Sequence, residues 1–341
     1  MTGTPPTGTP VIVLQSVRAF RSTTNPYLVQ LVAAMPHGVA TEMFTWRRAI
    51  TGRYDVLHAH WPEVLLRGRS GVLRHVARLV LFSLLLARIR SSRIVVVRTL
   101  HNVGTHEAEG PLHRWLLDNF DSATTLWVRL NPQTVLPRPR EARTIPHGHY
   151  RDWFPVPSDS VVPGRILCFG LIRPYKGVEA LLGAFRRVAD VAASLHVVGK
   201  PASSALDAEV RALAAGDPRI ALTLDYVDDP TLAAEVGEAQ LVILPYRNMH
   251  NSGALLLALS LDRPVLVPGN IVTRDLAAEV GTDWVMTFDG ELTAQTVSSA
   301  LDWSAAPRQA GPDLSRREWS VIGEQHAEAY RAAITPRGRT R

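Results

Sequence analysis

The stretch FGLIRPYKGVEALLGAF, residues 169–185, holds a strand end, a turn and the start of a helix. The apolar run 165–170 predicts a buried strand, Gly170 permits a tight turn, and 178–192 has helical spacing. A short buried strand followed at once by a helix is the repeating unit of a parallel sheet. The stretch therefore predicts an α/β fold, with Arg173 and Lys176 on a loop that follows a strand.

The same alternation of strands and helices extends along most of the chain. In the first half, strands are predicted at 11–15, 41–46, 54–59, 94–99, 124–128 and 144–146, and helices at 26–35, 72–90 and 112–119. In the second half, further strands are predicted at 195–199, 220–224, 241–245, 265–267 and 284–287, and helices at 205–215, 231–239, 253–261, 274–280, 292–305 and 315–333. This pattern predicts two tandem doubly wound, Rossmann-like domains facing a central cleft, with functional residues on the loops that follow strands.

Three prolines in residues 151–163 interrupt the alternation and predict a linker. We expect the following organisation: a leader (1–9), a first domain (10–154), a linker (155–163), a second domain (164–314), a C-terminal helix returning to the first domain (315–334) and a basic tail (335–341).

Composition excludes several classes of protein. The chain has 341 residues, 46% of them hydrophobic and 20% charged, which is typical of a globular protein of about two domains. Its single cysteine, Cys168, excludes a disulfide scaffold and indicates a reducing compartment. The clean apolar stretch 79–87 is far shorter than the ~20 residues that cross a bilayer, and the uncharged N-terminus lacks a secretory pattern. We expect a cytoplasmic location.

The two halves of the chain differ in charge. Residues 1–150 hold 18 arginines, no lysine and 8 acidic residues, which gives a net charge of +10, and the remaining residues have a net charge of −4. A basic half suits anionic lipid, a phosphorylated acceptor or nucleic acid. Nucleic acid is not expected, because the chain has no basic–aromatic interleaving and no zinc finger. The helix at 72–93 carries a basic face and suits peripheral contact with an anionic membrane at its inner face, although core packing with solvated arginines explains it equally well.

Two loops of the second half suit an anion. Arg173 and Lys176 precede a helix start, and Ser252 with Gly253 opens another helix, where free backbone N–H groups attract negative charge. A solvated turn explains the first loop, and simple N-capping by Ser252 explains the second. Because both loops follow strands of one predicted sheet, a diphosphate pocket is the favoured interpretation.

Histidines follow three predicted strands of the first half. The segments are DVLHAHWPE (55–63), TLHNVGTHE (99–107) and IPHGHY (145–150). Histidine and glutamate on such loops suit general base work or hydrogen bonding to a hydroxylated ligand, and a structural role is as common for any single histidine. Zinc is not expected, because the spacings match no metal signature.

The stretch 169–185, with SGALLLALSLDRPVLVP (252–268), resembles the GT-B glycosyltransferases, in particular the group with sucrose synthases and bacterial mannosyltransferases. The three histidine segments resemble bacterial polysaccharide glycosyltransferases of the same superfamily. The resemblance implies a hexosyltransferase that moves sugar from a nucleoside diphosphate sugar, bound by the second domain, to an acceptor hydroxyl held by the first. The acceptor is a polysaccharide, a lipid-linked glycan or a small aglycone.

The resemblance also implies site residues. Lys176 matches the lysine that holds the donor diphosphate, and Arg173 stands two positions from the usual arginine. The residues expected to bind the donor diphosphate are Arg173, Lys176, Ser252 and Gly253, and those expected to bind the donor sugar and nucleoside are His250, Asn251, Tyr246 and Val227. The residues expected on the acceptor side are Asn25, His60, His106 and His147. His101 is expected at the reacting sugar, and Glu107 is expected to act as the acceptor base.

Two features of the group are changed or absent. Its paired glutamates, eight positions apart, fall on Met249 and Leu257, which accept no useful hydrogen bond. The reaction is expected to invert the configuration of the anomeric carbon if Glu107 is the base, and to retain it if no base is found. We expect no metal and no cofactor besides the nucleotide-sugar substrate, because cations and helix amides stabilise the leaving diphosphate, and because Asp228 and Asp229 fit a helix start better than a metal site. The alternatives are an epimerase or phosphorylase on the same fold, or a non-catalytic nucleotide-sugar-binding protein.

Overall fold

The computed structural model describes residues 9–21, 24–67, 71–101, 110–155 and 161–335. The chain forms two compact units, one from the N-terminus to Gly148 together with Arg317 onward, and the other from His149 to Arg316. The boundary precedes the predicted one at 154 because Tyr150 and Phe154 pack into the apolar core of the second unit.

The described residues of the first unit form a parallel six-stranded sheet in the order β2-β1-β3-β4-β5-β6. Its strands are β1 (Val11–Gln15), β2 (Val39–Met43), β3 (Val56–Ala59), β4 (Val95–Leu100), β5 (Leu126–Arg129) and β6 (Glu141–Thr144). Its first helices are α1 (Pro26–Ala33), α2 (Trp46–Thr51), α3 (Pro62–Leu66), α4 (Val72–Ser91) and α5 (Pro111–Ala123). The strand order reverses between β1 and β3, where doubly wound folds bind ligands.

The second unit repeats this architecture with the order β12-β11-β10-β7-β8-β9. Its strands are β7 (Arg165–Phe169), β8 (Ser194–Val198), β9 (Ile220–Thr223), β10 (Leu241–Ile243), β11 (Val265–Pro268) and β12 (Val285–Phe288). Its helices are α6 (Val178–Phe185), α7 (Ser204–Ala214), α8 (Asp229–Glu238), α9 (Gly253–Ser260), α10 (Ile271–Val280) and α11 (Ala294–Ser304). Here the order reverses between β7 and β10. The last helix, α12 (Trp319–Ile334), packs on α1 and β4 of the first unit.

Each sheet has an apolar core on both faces, because successive side chains of a strand point to opposite sides. In β1, Val13 and Leu14 enter different clusters. In β7, Cys168 and Leu167 do the same, and Cys168 is buried as predicted. Strands covered on both faces read as continuous apolar runs, which is why the sequence predicts them well.

The predicted fold class is confirmed, and several predicted boundaries are wrong. The strand predicted at 41–46 ends at Met43 because Thr45 accepts a hydrogen bond from Arg48 N (3.1 Å) and begins α2. The strand predicted at 144–146 is β6, which begins three residues earlier, at Glu141, and ends at Thr144. The helix predicted at 178–192 ends at Phe185. As expected, Asp228 caps α8, accepting from Thr231 N at 3.0 Å.

Candidate active site

Two loops meet where the strand order of the second unit reverses. β7 and β10 are adjacent and parallel, so the loops that follow them share one edge of the sheet. Gly177 is left-handed (φ +67°), and a Cβ there would overlap the carbonyl oxygen of Pro245. Arg247 N donates to the carbonyl oxygen of Tyr175 at 2.8 Å. Gly177 thus allows the two loops to pack directly against each other.

Lys176 lies at the junction of these loops. Its Nζ is 5.0 Å from the centroid of the Tyr246 ring, and it extends over Gly170, where a Cβ would come within 2.9 Å of Nζ. Burial, with the nearby charge of Arg173, lowers the pKa of Lys176 to about 8. No carboxylate of the described chain pairs with Lys176. An unbalanced, half-buried cation of this kind is suited to hold an anion.

Ser252 begins α9 on the neighbouring loop. Its Oγ accepts a hydrogen bond from Leu255 N at 3.2 Å, as expected of an N-cap. Ser252 also hydrogen-bonds to the Tyr246 hydroxyl, whose pKa is raised, chiefly by burial. Asn270 Nδ2 donates to the carbonyl oxygen of Met249 at 2.7 Å and fixes the middle of the loop. The structure thus brings Lys176, Tyr246 and Ser252 into one cluster.

The other predicted donor residues are placed less centrally. Arg173 is exposed at the start of the short turn Pro174–Lys176. His250 is half-buried, and burial lowers its pKa; Asn251 lies beside it in the same loop. Val227 follows the edge strand β9 and packs, partly buried, on the core cluster that contains Tyr246.

Met249 and Leu257, which occupy the positions of the paired glutamates, belong to the apolar core of the second unit. Both side chains are buried. A carboxylate in such surroundings is costly unless it is paired. At the positions where the group has two glutamates, this chain therefore has two buried apolar side chains, and the core behind the loop is apolar.

A chain of hydrogen bonds crosses the carboxyl ends of three neighbouring strands in the first unit. Gln15 ends β1, His60 follows β3, and His101 follows β4. Gln15 Oε1 lies 3.2 Å from His60 Nε2, and His60 Nδ1 lies 3.1 Å from His101 Nε2. This series of hydrogen bonds begins at Gln15, where the strand order reverses between β1 and β3, and ends at His101, the predicted catalytic histidine.

The orientation of the Gln15 amide sets the proton positions on both rings. With its carbonyl oxygen facing the ring, Gln15 accepts and His60 carries its hydrogen on Nε2. The neutral His60 then accepts at Nδ1 from the Nε2–H of His101. The remaining ring nitrogen of His101, Nδ1, therefore holds a lone pair.

A second set of hydrogen bonds lies next to the first, deeper in the interior of the unit. His58, opposite Gln15 in the β1–β3 register, has Nδ1 at 2.7 Å from the Tyr330 hydroxyl and Nε2 at 2.8 Å from the Thr99 hydroxyl. His326 stands one turn before Tyr330 in α12, with its ring 5.7 Å from that of His58. Gln15, Tyr27, His326 and Tyr330 are not among the residues predicted from the sequence. The signals present there are the position of Gln15 at a strand end and the four-residue spacing of His326 and Tyr330 in α12.

Tyr27 lies at the centre of the cluster. Its ring is 5.0 Å from that of His101, 4.7 Å from that of His147 and 5.5 Å from that of Trp319. Trp61 stacks on His101 at 4.1 Å and 21°. His58, His60 and His326 are buried, whereas His101 and His147 are partly exposed. Within the described part of this cluster, His101 and His147 are thus the histidines with solvent access.

Burial keeps the histidines of the cluster neutral. It lowers the pKa of His58, His60 and His101 well below the usual value, with a further decrease from neighbouring histidines. It lowers the pKa of His147 and of His326 to about 4. His147 donates from Nδ1 to the carbonyl oxygen of Gly148 at 2.7 Å. Neutral imidazoles act as acceptors and bases at neutral pH.

The remaining predicted residues of the first half have other placements. His106 and Glu107 lie outside the described residues. Asn25 is exposed and caps α1, its side chain accepting from Tyr27 N at 3.0 Å. Within the described ranges, no group of three or more His, Cys, Asp or Glu side chains has an arrangement that holds a metal ion.

Comparison with known proteins identifies the family. The model of the family "Glycosyl transferases group 1" matches residues 163–301, which contain both loops of the second unit. Two relatives from Xanthomonas campestris pv. campestris, each named GDP-mannose:glycolipid 4-beta-D-mannosyltransferase, are 47% identical over 326 residues, covering 95% of this chain and 93% of theirs. The chain is a group 1 glycosyltransferase. Such an enzyme moves a hexose from a nucleoside diphosphate sugar to an acceptor hydroxyl.

Solved structures of other glycosyltransferases share the fold of this one. Anabaena HepE, in complex with UDP and glucose, superposes with a TM-score of 0.62 at 12% identity, covering 94% of this chain and all of that one. The catalytic domain of starch synthase IV from Arabidopsis thaliana, bound to ADP and acarbose, gives 0.62 at 10% identity, with 97% and 100% covered. At these identities the likeness concerns the fold alone, and it confirms the predicted α/β, GT-B fold class of this glycosyltransferase.

Proposed function

We propose that this glycosyltransferase transfers mannose from GDP-mannose to a hydroxyl of a glycolipid. The support is its 47% identity, across 95% of the chain, to relatives named for that reaction. The observation that carries the donor site is Lys176, a half-buried cation with no carboxylate partner in the described chain, held where the loops after β7 and β10 meet.

In this proposal the donor diphosphate lies on Lys176, with Arg173 and the backbone N–H groups at the start of α9 as further donors. Charge accumulates on the diphosphate as its bond to the sugar breaks, and preorganised cations and amides stabilise that charge. We infer that these groups serve in place of a metal ion. His250 and Asn251, on the loop that leads into α9, are the proposed partners of the sugar hydroxyls.

We infer that the reaction inverts the anomeric carbon. GDP-mannose is an α-linked donor, and a β-linked product formed from it by one displacement requires inversion. The acceptor oxygen bonds to C1 as the bond from C1 to the GDP oxygen breaks, and a base takes the hydroxyl proton. His101 Nδ1 is the candidate base on geometric grounds, and Glu107 is the second candidate. The glycolipid acceptor is further reason to place the enzyme peripherally at a membrane.

The first test is thermal stability with GDP, UDP, ADP and dTDP, with and without EDTA. Ligand at 100 times its dissociation constant adds about 2.7 kcal/mol to the free energy of unfolding, a few degrees for a chain of this size. We expect a shift with GDP alone that EDTA leaves unchanged. A shift with another nucleotide instead of GDP contradicts the donor assignment, and loss of the shift in EDTA contradicts the metal-independent site.

The second test is transfer itself, with labelled GDP-mannose and a glycolipid extract dispersed in detergent. The labelled product is digested with β-mannosidase and with α-mannosidase in parallel. Release by the β-specific enzyme supports inversion. Release by the α-specific enzyme overturns it. If no labelled lipid forms although the GDP-mannose is intact, the proposed acceptor class is wrong.

A further inference from the structure

The N-terminal ends of α4 and α5 carry a group of apolar side chains that are exposed in the described part of the first unit. The group, here called the apolar tip, consists of Val72, Leu73, Val76, Leu112 and Trp115. Leu73 is 86% exposed and Trp115 is 57% exposed. Large apolar side chains exposed together in this way mark an interaction surface more often than chance scatter does.

The two helices place these side chains at one end of the helix pair. The rings of His75 and His113 lie 5.0 Å apart, and those of Phe82 and Phe120, seven residues further along each helix, lie 5.7 Å apart. α4 and α5 therefore run side by side in the same direction, and their first turns are neighbours. In this register the exposed side chains of the two first turns, Leu73 and Val76 on α4 and Leu112 and Trp115 on α5, lie at the same end of the helix pair.

The first half of α4 is not part of the core. None of residues 72–81 is buried, whereas Phe82, Leu85, Leu86 and Ile89 in the second half are. The exposed stripe Val72, Val76, Val80 and Leu84 repeats every four residues, which is one face of a helix. α4 is thus apolar on a second face, opposite the one that packs, and that face begins at the apolar tip.

Arginines predominate around the apolar tip, and Asp118 lies one turn further along α5. Residues 72–93 contain five arginines and no acidic residue, and residues 110–117 contain Arg114 and no acidic residue. Arg74 and Arg114 are exposed in the same first turns. Exposed apolar side chains between arginines, with a tryptophan at the edge, are complementary to anionic headgroups over acyl chains. An acidic protein surface would match the charge but not the aliphatic stripe.

We propose that the apolar tip inserts into the headgroup region of a membrane that contains anionic lipid. This inference deepens the proposed transfer to a glycolipid and rests on it, because a lipid-borne acceptor is presented at such a surface. No helix in the described ranges is long and apolar enough to cross a membrane. In this proposal the two helices lie on the bilayer, Arg74 and Arg114 contact lipid phosphates, and Leu73 and Trp115 enter the headgroup region.

The test measures cosedimentation of the full chain with vesicles of phosphatidylcholine, with and without phosphatidylglycerol. We expect binding only to the anionic vesicles, with a blue shift of tryptophan emission that Trp115→Phe reduces. The double variant Leu73→Ser, Trp115→Ser should lower the partition coefficient by about tenfold or more. Its control is Val135→Ser, which alters a residue of the same unit that is 82% exposed and lies outside α4 and α5.

A second pair of variants tests the charge. Arg74→Gln with Arg114→Gln should lower the partition coefficient by roughly fivefold for each arginine. The matched control is Arg187→Gln, an exposed arginine of the second unit. Circular dichroism checks that each variant is folded, as expected for exposed positions.

Three results overturn the inference: wild-type chain that does not sediment with anionic vesicles, apolar variants that sediment like wild type, or a wild-type dimer that Trp115→Ser dissociates in analytical ultracentrifugation. The last would make the surface an interface between copies. Transfer to glycolipid in detergent separates this inference from the proposed function. If mannose is transferred there but the variants bind vesicles normally, only the docking surface is wrong; if no mannose is transferred, the proposed function fails regardless of vesicle binding.

Discussion

His60 Nδ1 lies 3.1 Å from His101 Nε2, at the carboxyl ends of two adjacent strands. His60 is buried and His101 is partly exposed, so the pair joins the interior of the first unit to its surface. The other nitrogen of His60 is held by the Gln15 carbonyl oxygen at 3.2 Å. Because each bond fixes which nitrogen carries hydrogen, Gln15 and His60 determine how His101 presents itself to a substrate.

Replacing His60 should change the proton position on His101. His60→Leu removes the acceptor for His101 Nε2–H, so the tautomer with a lone pair on Nδ1 is no longer favoured. Nitrogen-15 spectra of histidine-labelled protein report this directly: we expect a single Nε2–H form of His101 in the wild type and a mixture in the variant. The rate of sugar transfer should fall by at least about tenfold, because a correctly placed general base contributes about a hundredfold or more.

The control is Gln30→Leu, which replaces another buried glutamine of the first unit whose side-chain amide has no hydrogen-bond partner in the described chain. It should leave the His101 signals and the transfer rate unchanged. A wild-type spectrum with hydrogen on His101 Nδ1, or a His60→Leu spectrum identical to the wild type, would show that this chain of bonds does not position the ring.

Lys176→Ala should lower kcat/KM for sugar transfer by more than about tenfold, as expected when one preorganised charge contact to the leaving group is lost. The chain offers a matched control, since its only other lysine is Lys200, which is exposed. Lys200→Ala should behave as wild type. Unchanged kinetics of a folded Lys176→Ala variant would remove this lysine from the donor site.

The same side chain predicts a pH dependence of nucleotide affinity. Because burial lowers the pKa of Lys176 to about 8, the free enzyme loses this charge as the pH rises through that value. The dissociation constant for GDP, measured by titration calorimetry, should increase above about pH 8. Lys176→Arg keeps its charge at every accessible pH and should flatten the increase; a profile that is the same in both proteins contradicts the assignment.

Ser252→Ala distinguishes an N-cap from a ligand contact. Loss of the cap should lower the free energy of unfolding by about 1 kcal/mol. Ser203→Ala is the matched control, because Ser203 caps α7 in the same unit and accepts from Leu206 N at 3.3 Å. Both variants should lose similar stability, and only Ser252→Ala should raise KM for the donor. If the two variants leave donor KM equally unchanged, Ser252 serves the helix alone.

The fold was predictable because parallel strands buried on both faces leave apolar runs that are visible in the sequence. The loops after β7 and β10 were predictable for a related reason, since Gly170, Gly177 and Ser252 punctuate a strand end and a helix start. The departure at Met249 and Leu257 was also visible in the sequence, and the structure adds that both are buried.

The histidine cluster was only half predictable, because its members come from distant parts of the sequence. Tyr330 and His58 are 272 residues apart, and only the return of α12 to the first unit brings the hydroxyl within 2.7 Å of the ring. Gln15 looks like an ordinary strand end until β3 is placed beside β1. Local patterns show which face of an element is apolar, but the partners of a buried polar group depend on topology.

The cluster should make the protein sensitive to mild acid. Unfolded histidines have a pKa near 6.5, whereas burial lowers those of His147 and His326 to about 4 and those of His58, His60 and His101 well below 6.5. Between these values the unfolded chain binds protons that the native state excludes, so stability falls as the pH decreases from about 6.5 toward about 4. Each such histidine contributes about 1.4 kcal/mol per pH unit.

Denaturant titrations from about pH 7 to about pH 5 measure this dependence. Several histidines acting together would exceed a typical stability of about 5–15 kcal/mol within a few pH units, so we expect unfolding before pH 4 is reached. His326→Gln removes one titrating group from a fully buried position and should reduce the slope by about 1.4 kcal/mol per pH unit. A wild-type stability that stays constant over this range would mean that the native cluster takes up protons, and would contradict the neutral, hydrogen-bonded arrangement on which the assignment of His101 as a base depends.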